Sequence, residues 1–91
     1  MKHDEKLLEQ KCSCYARMRG FAVAKLEKNG NKGIPDIIII EHGGKVLFIE
    51  FKTETGVLSD EQKYWKNYLG YSCETVRNFD DFCKILDAYY F

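Results

Sequence analysis

Residues 35–52 read PDIIIIEHGGKVLFIEFK, and they give the clearest indication of the fold. Two runs rich in branched and aromatic apolar residues, 36–41 and 45–52, flank the short segment His42-Gly43-Gly44. Such runs favour strands, and glycines between them favour a tight turn. The second run is apolar on both faces, which is typical of a central strand that is covered on each side. The sequence therefore predicts a β-hairpin at the centre of a sheet.

The length of the turn sets which side chains face each other across this hairpin. If the turn comprises residues 42–44, position 41 pairs with 45 and Asp36 lies opposite Glu50. The two carboxylates are then cross-strand neighbours with Cβ atoms about 4.5–5.5 Å apart. Lys52 shares the face of Glu50, because side chains alternate along a strand. A two-residue turn, which the glycine pair also permits, would put Asp36 on the opposite face.

The segments around the hairpin complete an α/β pattern. A first helix is expected over 4–19, capped by Asp4, with an apolar stripe at helical spacing. The members of this stripe are Leu7, Leu8, Cys12, Tyr15 and Met18. A strand is expected over 21–27, and Ser59 followed by Gln62 is a capping-box pattern that starts a second helix ending at Gly70. A fourth strand over 71–77 and a last helix that starts at Asn78 follow.

The resulting order is αβββαβα, in which helices cover the faces of a mixed four-stranded sheet. We expect residues 1–91 to form one small domain with a single core.

Two carboxylates and a lysine on one face indicate hydrolysis of phosphodiester bonds. Asp36 and Glu50 would repel each other at this distance unless a positive charge lies between them. Mg²⁺ prefers carboxylate and water oxygens, and the backbone carbonyl of Phe51 can supply a further ligand. Such an ion activates water and stabilises charge on a phosphate. Lys52 can position the water or neutralise the transition state.

Composition restricts the class of protein. Fourteen basic and fourteen acidic residues cancel, whereas a protein that only coats DNA is usually basic. The charged N-terminal segment is unlike a signal peptide, and the longest apolar run, 37–40, is too short to span a bilayer. Four cysteines without zinc-type spacing are expected to be free thiols. We therefore expect a cytoplasmic location without a membrane partner.

Three short motifs together resemble a known family. Residues 33–36 (GIPD), 48–52 (FIEFK) and 58–62 (LSDEQ) occur in this order within an αβββαβ core. This combination resembles the PD-(D/E)XK nuclease superfamily. Nearly the whole chain is similar to a stand-alone VRR-NUC domain, the virus-type replication-repair nuclease. The resemblance implies a restriction-endonuclease-like fold with an added C-terminal helix.

The resemblance also implies roles for individual residues. It implies that Asp36 and Glu50 bind metal, that Lys52 is catalytic and that Gln62 supports the site. Capping of the second helix would by itself also explain Gln62.

The family has a further glutamate on the first helix, for which Glu5 and Glu9 are the candidates. On a helical wheel Glu5 flanks the apolar stripe, and Glu9 lies about 40° further toward solvent. We therefore take Glu5 as the additional metal-binding and catalytic acid. An ordinary first-turn acid, favoured by the helix dipole, is the alternative interpretation of Glu5.

Some basic and aromatic side chains are expected to contact DNA or a second copy of the protein. The lysines expected to contact DNA phosphates are Lys25, Lys32 and Lys63. Tyr64, Trp65 and Tyr68 on the second helix are expected to be core or dimer contacts rather than base-stacking platforms. The C-terminal aromatic residues, 87–91, are the other candidate dimer surface.

The resemblance implies a DNA endonuclease that uses Mg²⁺ or Mn²⁺ and acts in DNA repair in a bacterial or phage-infected cell. Small members of the family resemble homodimers that cut branched DNA such as four-way junctions. Two sites related by a two-fold axis suit symmetric cleavage, and a small domain has little surface for base-specific readout. Two alternatives are a catalytically silent DNA-binding or assembly module and a sequence-specific restriction-type endonuclease.

Overall fold

The computed structural model describes residues 3–91 and confirms the predicted α/β class and element order. The elements are α1 (His3–Met18), β1 (Ala22–Lys25), β2 (Ile37–Ile40), β3 (Val46–Phe51), α2 (Asp60–Leu69), a 3₁₀ turn (Gly70–Ser72), β4 (Cys73–Val76) and α3 (Phe79–Tyr90). The strands lie side by side in the order β1-β2-β3-β4. The first three are antiparallel to their neighbours, and β4 runs parallel to β3. Within the described residues, none of the helices combines the length and apolar character that a membrane crossing needs.

The register of the central hairpin confirms the three-residue turn. Ile37 pairs with Ile49 and Ile40 with Val46, so opposing positions sum to 86. The Glu41 N–H donates to the Lys45 carbonyl at 2.9 Å and closes the turn over residues 42–44. Gly43 and Gly44 adopt φ values of 108° and 101° in this turn. Glycine reaches these values readily because it carries no Cβ. The alternative two-residue turn is therefore excluded.

Apolar side chains of the sheet and of two helices form one core. Leu47, Ile49 and Phe51 of β3 are fully buried on one face of the sheet. They pack in one cluster with β2 and with side chains from α1 and α3, namely Cys12, Ala16, Phe82 and Leu86. All four cysteines are free thiols.

Several details of the helices and strands differ from the sequence-based expectation. The strands are shorter at both ends, and residues 70–72 form a 3₁₀ turn instead of the start of β4. Helix α1 already includes His3, so Asp4 lies in its first turn and is not its cap. Leu7 and Met18 are exposed, because the buried stripe of α1 follows a narrower line through Cys12 and Ala16.

The opposite face of the sheet is only partly covered. Helix α2 lies over this face near β4, where the Lys66 ammonium donates to the Thr75 hydroxyl at 2.9 Å. No residue of α2 is fully buried, and Val46 and Phe48 of β3 remain half-buried. Strand β3 is central as expected, but its second face is covered only in part. This open part of the sheet leaves space for a cleft.

The aromatic side chains of α2 do not join the core. Tyr64 and Tyr68 are exposed, and their rings stack on each other with centroids 6.3 Å apart. Trp65 is half-buried. A core position is thus wrong for the two tyrosines, and a dimer contact stays a prediction.

The C-terminal aromatic residues pack on their own sheet. The Tyr89 hydroxyl donates to the Val46 carbonyl at 2.6 Å, and the Tyr90 hydroxyl donates to the Ile39 carbonyl at 2.9 Å. Only Phe91 of this group is largely exposed. These contacts leave less of the segment free for a second protein copy than the sequence suggested.

Candidate active site

Asp36 is held by the backbone of the neighbouring strand. The regular ladder of β2 ends at Ile37, because Pro35 has no N–H to continue it. The Asp36 N–H donates to the Ile49 carbonyl at 2.9 Å, and the Phe51 N–H donates to Asp36 Oδ2 at 2.8 Å. The carboxylate thus takes the place of a backbone acceptor, and it is only 3% exposed.

Glu50 is the most electrostatically perturbed group of the site. It is 6% exposed, and its Oε2 accepts a hydrogen bond from Gln62 Nε2 at 3.2 Å. Its Oε1 is buried without a partner among the described residues. Burial, and next the negative charge of Asp36, raise the pKa of Glu50 from 4.5 to about 8. Burying a carboxylate oxygen that accepts no hydrogen bond costs free energy. A cation bound at this atom would offset that cost.

Gln62 joins the start of α2 to this carboxylate. The predicted capping box is present: Ser59 Oγ accepts from the Gln62 N–H at 3.1 Å, and Gln62 Oε1 accepts from the Ser59 N–H at 2.8 Å. The amide nitrogen of the same side chain remains to donate to Glu50. The Gln62 side chain therefore both caps α2 and contacts Glu50. The two interpretations of Gln62, a helix cap and a support of the site, do not exclude each other.

Lys28 contacts Asp36, and this contact was not predicted from the sequence. Its ammonium lies 3.1 Å from Asp36 Oδ1 and donates to the Ile34 carbonyl at 2.7 Å. Its positive charge opposes the rise in the pKa of Glu50. The available signal was its position in the segment that leads from β1 to Pro35. That signal is weak, because the path of a loop cannot be read from periodicity.

The candidate residues meet at a cleft of about 490 Å³ on the open face of the sheet. Its lining includes Glu5, Lys28, Lys32, Gly33, Asp36, Glu50, Lys52, Ser59 and Gln62. The structure thus brings together residues from α1, from the loop after β1, from the hairpin and from the start of α2. Among the described residues, the Lys52 ammonium has no hydrogen-bond partner, whereas its backbone N–H donates to the Val76 carbonyl at 3.0 Å. The Lys52 side chain is therefore anchored at its base and free at its tip.

The two glutamates of α1 lie in different surroundings. Both are 8% exposed, so the expectation that Glu9 turns toward solvent is wrong. The Lys25 ammonium covers Glu9 and donates to both of its oxygens, at 2.8 and 3.0 Å. Glu5 instead lines the cleft. Lys25, expected to contact DNA, is thus engaged within the chain.

The other two candidate DNA-binding lysines lie at different places on the surface. Lys32 lines the cleft, on the loop between β1 and β2. Lys63 lies outside it, on α2, where it lines a separate shallow depression with Lys66 and Asn67. Of the three lysines expected to contact DNA, only Lys32 therefore lines the cleft.

The residues of the cleft fit a divalent cation. No group of three or more His, Cys, Asp or Glu side chains within residues 3–91 is close enough to enclose an ion on its own. Asp36 and Glu50 nevertheless present a carboxylate pair with one oxygen, Glu50 Oε1, that has no donor. Mg²⁺ is commonly held by one or two carboxylates, with water completing its shell. A site of this kind needs no third acidic ligand.

Comparisons with known proteins agree with this arrangement. A family model described as the VRR-NUC domain matches residues 2–75, a range that includes the motifs at 33–36, 48–52 and 58–62. A solved structure described as a VRR_NUC domain shares the fold, with a TM-score of 0.84 and 24% identity over 94% of this chain and 97% of that chain. No curated protein matches by sequence. Since the family match covers most of the chain, the protein belongs to the VRR-NUC family and contains a nuclease domain of the PD-(D/E)XK type.

Proposed function

We propose that this protein is a divalent-metal-dependent DNA endonuclease that acts on branched DNA such as four-way junctions. One observation carries the proposal: the buried carboxylates of Asp36 and Glu50 line the same cleft as Lys52, and residues 3–91 offer Glu50 Oε1 no hydrogen-bond donor. A carboxyl group in a cleft with a strongly raised pKa, such as that of Glu50, is typical of reacting sites.

Asp36 and Glu50 would hold the ion, with the Phe51 carbonyl and Glu5 as further ligands. The Phe51 N–H points toward Asp36, and N–H and C=O of a paired antiparallel residue point to the same neighbouring strand. The Phe51 carbonyl then faces Pro35, which has no N–H to offer it. When bound, Mg²⁺ or Mn²⁺ supplies activation of water and stabilisation of charge on the phosphate.

The lysines supply the remaining positive charge of the cleft. Lys52 projects its free ammonium beside Glu50, where it can orient the attacking water or neutralise charge on the phosphate. Lys28 and Lys32 line the wall formed by the loop between β1 and β2. This wall can contact the DNA backbone and position the phosphate without reading its sequence. Hydrolysis in this arrangement would leave 5′-phosphate and 3′-hydroxyl ends.

The size of the molecule favours recognition of shape over sequence. Its principal extents are 31 × 25 × 22 Å, so one copy covers a short stretch of duplex. Two copies related by a two-fold axis would present two clefts to the two strands of a junction. We therefore propose a homodimer as the acting form.

The function is tested with a four-way junction, a flap and a linear duplex, each with Mg²⁺, Mn²⁺ or EDTA. Cleavage is expected only with a divalent ion, and most rapidly on a branched substrate. Lys52→Ala should slow it about 100-fold or more. Lys84→Ala, which removes an exposed lysine on α3, is the matched control and should leave the rate unchanged.

Each contrary result has a distinct meaning. DNA binding without cleavage under any condition would favour the catalytically silent module. Cleavage of linear duplex at one sequence would favour the restriction-type enzyme. Light scattering that detects only monomer on the junction would contradict the proposed dimer.

A further inference from the structure

A second hollow of about 370 Å³ adjoins the cleft and belongs to no role described so far. One wall is the loop between β1 and β2, and the other is the first two turns of α2. Lys32 lines both the hollow and the cleft, so the two spaces are neighbours that share this side chain. The side chains used below are Asn31, Lys32, Asp60, Glu61, Tyr64 and Trp65.

Close packing at Gly33 fixes the two walls of this hollow relative to each other. A Cβ at this position would lie 2.5 Å from the Glu61 backbone carbon and 2.7 Å from the Gln62 nitrogen. Its φ of 85° also lies in the region that favours glycine. The loop therefore rests directly on the start of α2, and Lys32 is held at the junction of the two spaces.

The hollow and the cleft differ in chemistry. The cleft carries three lysines and suits a phosphate. The hollow carries Asp60 and Glu61, which repel a phosphate, together with the Tyr64 and Trp65 rings. Carboxylates and an amide such as Asn31 can instead bond to the polar edge of a nucleobase. An aromatic ring can stack on the face of any base.

The two rings form an exposed corner. Their planes are 83° apart and their centroids are separated by 5.8 Å. Tyr64 is 63% exposed, although it is a large ring beside a half-buried tryptophan. One face of the Tyr64 ring is turned to Tyr68, with the ring centroids 6.3 Å apart. Tyr68 does not line the hollow, so a flat ligand there would stack on the other face of Tyr64.

The start of α2 borders both spaces. Gln62 lines the cleft and contacts Glu50, whereas Tyr64 and Trp65, two and three residues later on the same helix, line the hollow. Three residues advance about 4.5 Å along a helix, so the two spaces are adjacent. A nucleotide next to a phosphate in the cleft would therefore lie beside the hollow.

We propose that this hollow binds the unpaired base of the nucleotide next to the cleaved phosphate, with Tyr64 as the stacking surface. Lys32 contacts the phosphate that links the two spaces. This inference rests on the proposed nuclease function and adds a physical basis for its preference. A base that is already unpaired at a branch point can enter the hollow, whereas a paired base must first leave its stack.

The test measures binding in Ca²⁺ and does not depend on cleavage. The probes are DNA flaps with 2-aminopurine at each of the three nucleotides nearest the branch, and matched flaps with an abasic site there. Stacking on Tyr64 should quench 2-aminopurine at one position. Tyr64→Ala should abolish that quenching and weaken binding roughly tenfold, whereas Tyr64→Phe should retain both.

Two controls separate stacking from loss of structure. On the abasic flap, wild type and Tyr64→Ala should bind equally, because no base is present to stack. Tyr71→Ala removes another exposed aromatic ring, remote from the hollow, and should bind both flaps like wild type. Sedimentation of Tyr64→Ala checks that the oligomeric state is unchanged.

The contrary outcomes are equally definite. Equal loss of affinity on normal and abasic flaps, with or without dissociation of a dimer, would overturn the base site, and dissociation would assign this face to a second copy. Wild-type binding that is indifferent to the base would also overturn it. If the protein fails either of these binding tests but still cleaves branched DNA, the proposed nuclease function remains and only the base site is overturned. A protein that neither binds nor cuts any probe would contradict both.

Discussion

The carboxylate of Asp36 accepts a hydrogen bond from the backbone N–H of Phe51 at 2.8 Å. In a regular ladder this N–H would donate to the Pro35 carbonyl. The bond to the carboxylate instead turns the Asp36 side chain toward the residue after Glu50. Two acidic groups are consequently buried together at the edge of the hairpin. Burial, and next the negative charge of Asp36, raise the pKa of Glu50 to about 8.

Without divalent ions, we expect the stability of the protein to fall as the pH rises. The pKa of Glu50 is about 8 in the folded state and near 4.5 when unfolded. The folded state therefore binds an additional proton between these values, and unfolding releases it. The resulting stabilisation is fully present below about pH 4.5 and is lost as the pH rises through about 8. Thermal unfolding in EDTA between pH 4 and 9 measures this loss.

Glu50→Gln is the control for the pH profile. It removes the titrating group but retains the shape of the side chain, so its stability should change less across this range. Added Mg²⁺ should stabilise wild type most at high pH, because the ion binds the ionised carboxylate. A profile identical in wild type and Glu50→Gln would contradict the assignment of the shift to this group.

Gln62 has two separable roles, in capping α2 and in contacting Glu50. Gln62→Ala should lose both and lower the free energy of unfolding by about 1 kcal/mol. Gln62→Glu can still accept from the Ser59 N–H, as in the usual capping box. It cannot donate to Glu50 when ionised, and it places a further negative charge beside it. Gln62→Glu should therefore lose more activity than stability, whereas Gln62→Ala should lose both. Cleavage rates and denaturant unfolding of the two variants measure this difference.

Glu5 and Glu9 are equally buried, yet only Glu5 should affect the site. Glu5→Gln should weaken divalent-ion binding roughly tenfold, measured by calorimetry, and slow cleavage. Glu9→Gln should leave ion binding unchanged, because Glu9 is paired with Lys25. The reverse pattern would transfer the role to Glu9.

Arg77 stabilises the loop that links Lys52 to α2. Its Nη1 donates to the Thr53 carbonyl at 2.8 Å and to the Gly56 carbonyl at 2.7 Å. Arg77→Ala should lower the free energy of unfolding by about 1–2 kcal/mol and increase proteolysis of residues 53–59. Arg17→Ala is the matched control, since that side chain donates one long bond of 3.3 Å to Val23. Equal effects of the two variants would contradict the role of Arg77.

Local patterns predicted the elements well where the chemistry is local. The glycines at 43 and 44 predicted a tight turn but allowed two registers, and the structure has the one with a three-residue turn. The Ser59–Gln62 box and the Asn78 cap, whose Oδ1 accepts from the Asp81 N–H at 2.8 Å, were likewise readable. The errors lie where burial depends on another element, as with the exposed tyrosines of α2 and the buried Glu9.

The amino-acid sequence by itself determined the hairpin, the order of the elements and the three motifs of the VRR-NUC family, because turn chemistry and side-chain alternation act over a few residues. The tertiary structure decided which charges meet. It brought Lys28 to Asp36 and Lys25 to Glu9, and within the described part of the chain it left Glu50 Oε1 without a donor. Those outcomes depend on how loops and helices pack across the sheet. The site that began as two carboxylates and a lysine is therefore completed by contacts between residues far apart in the chain.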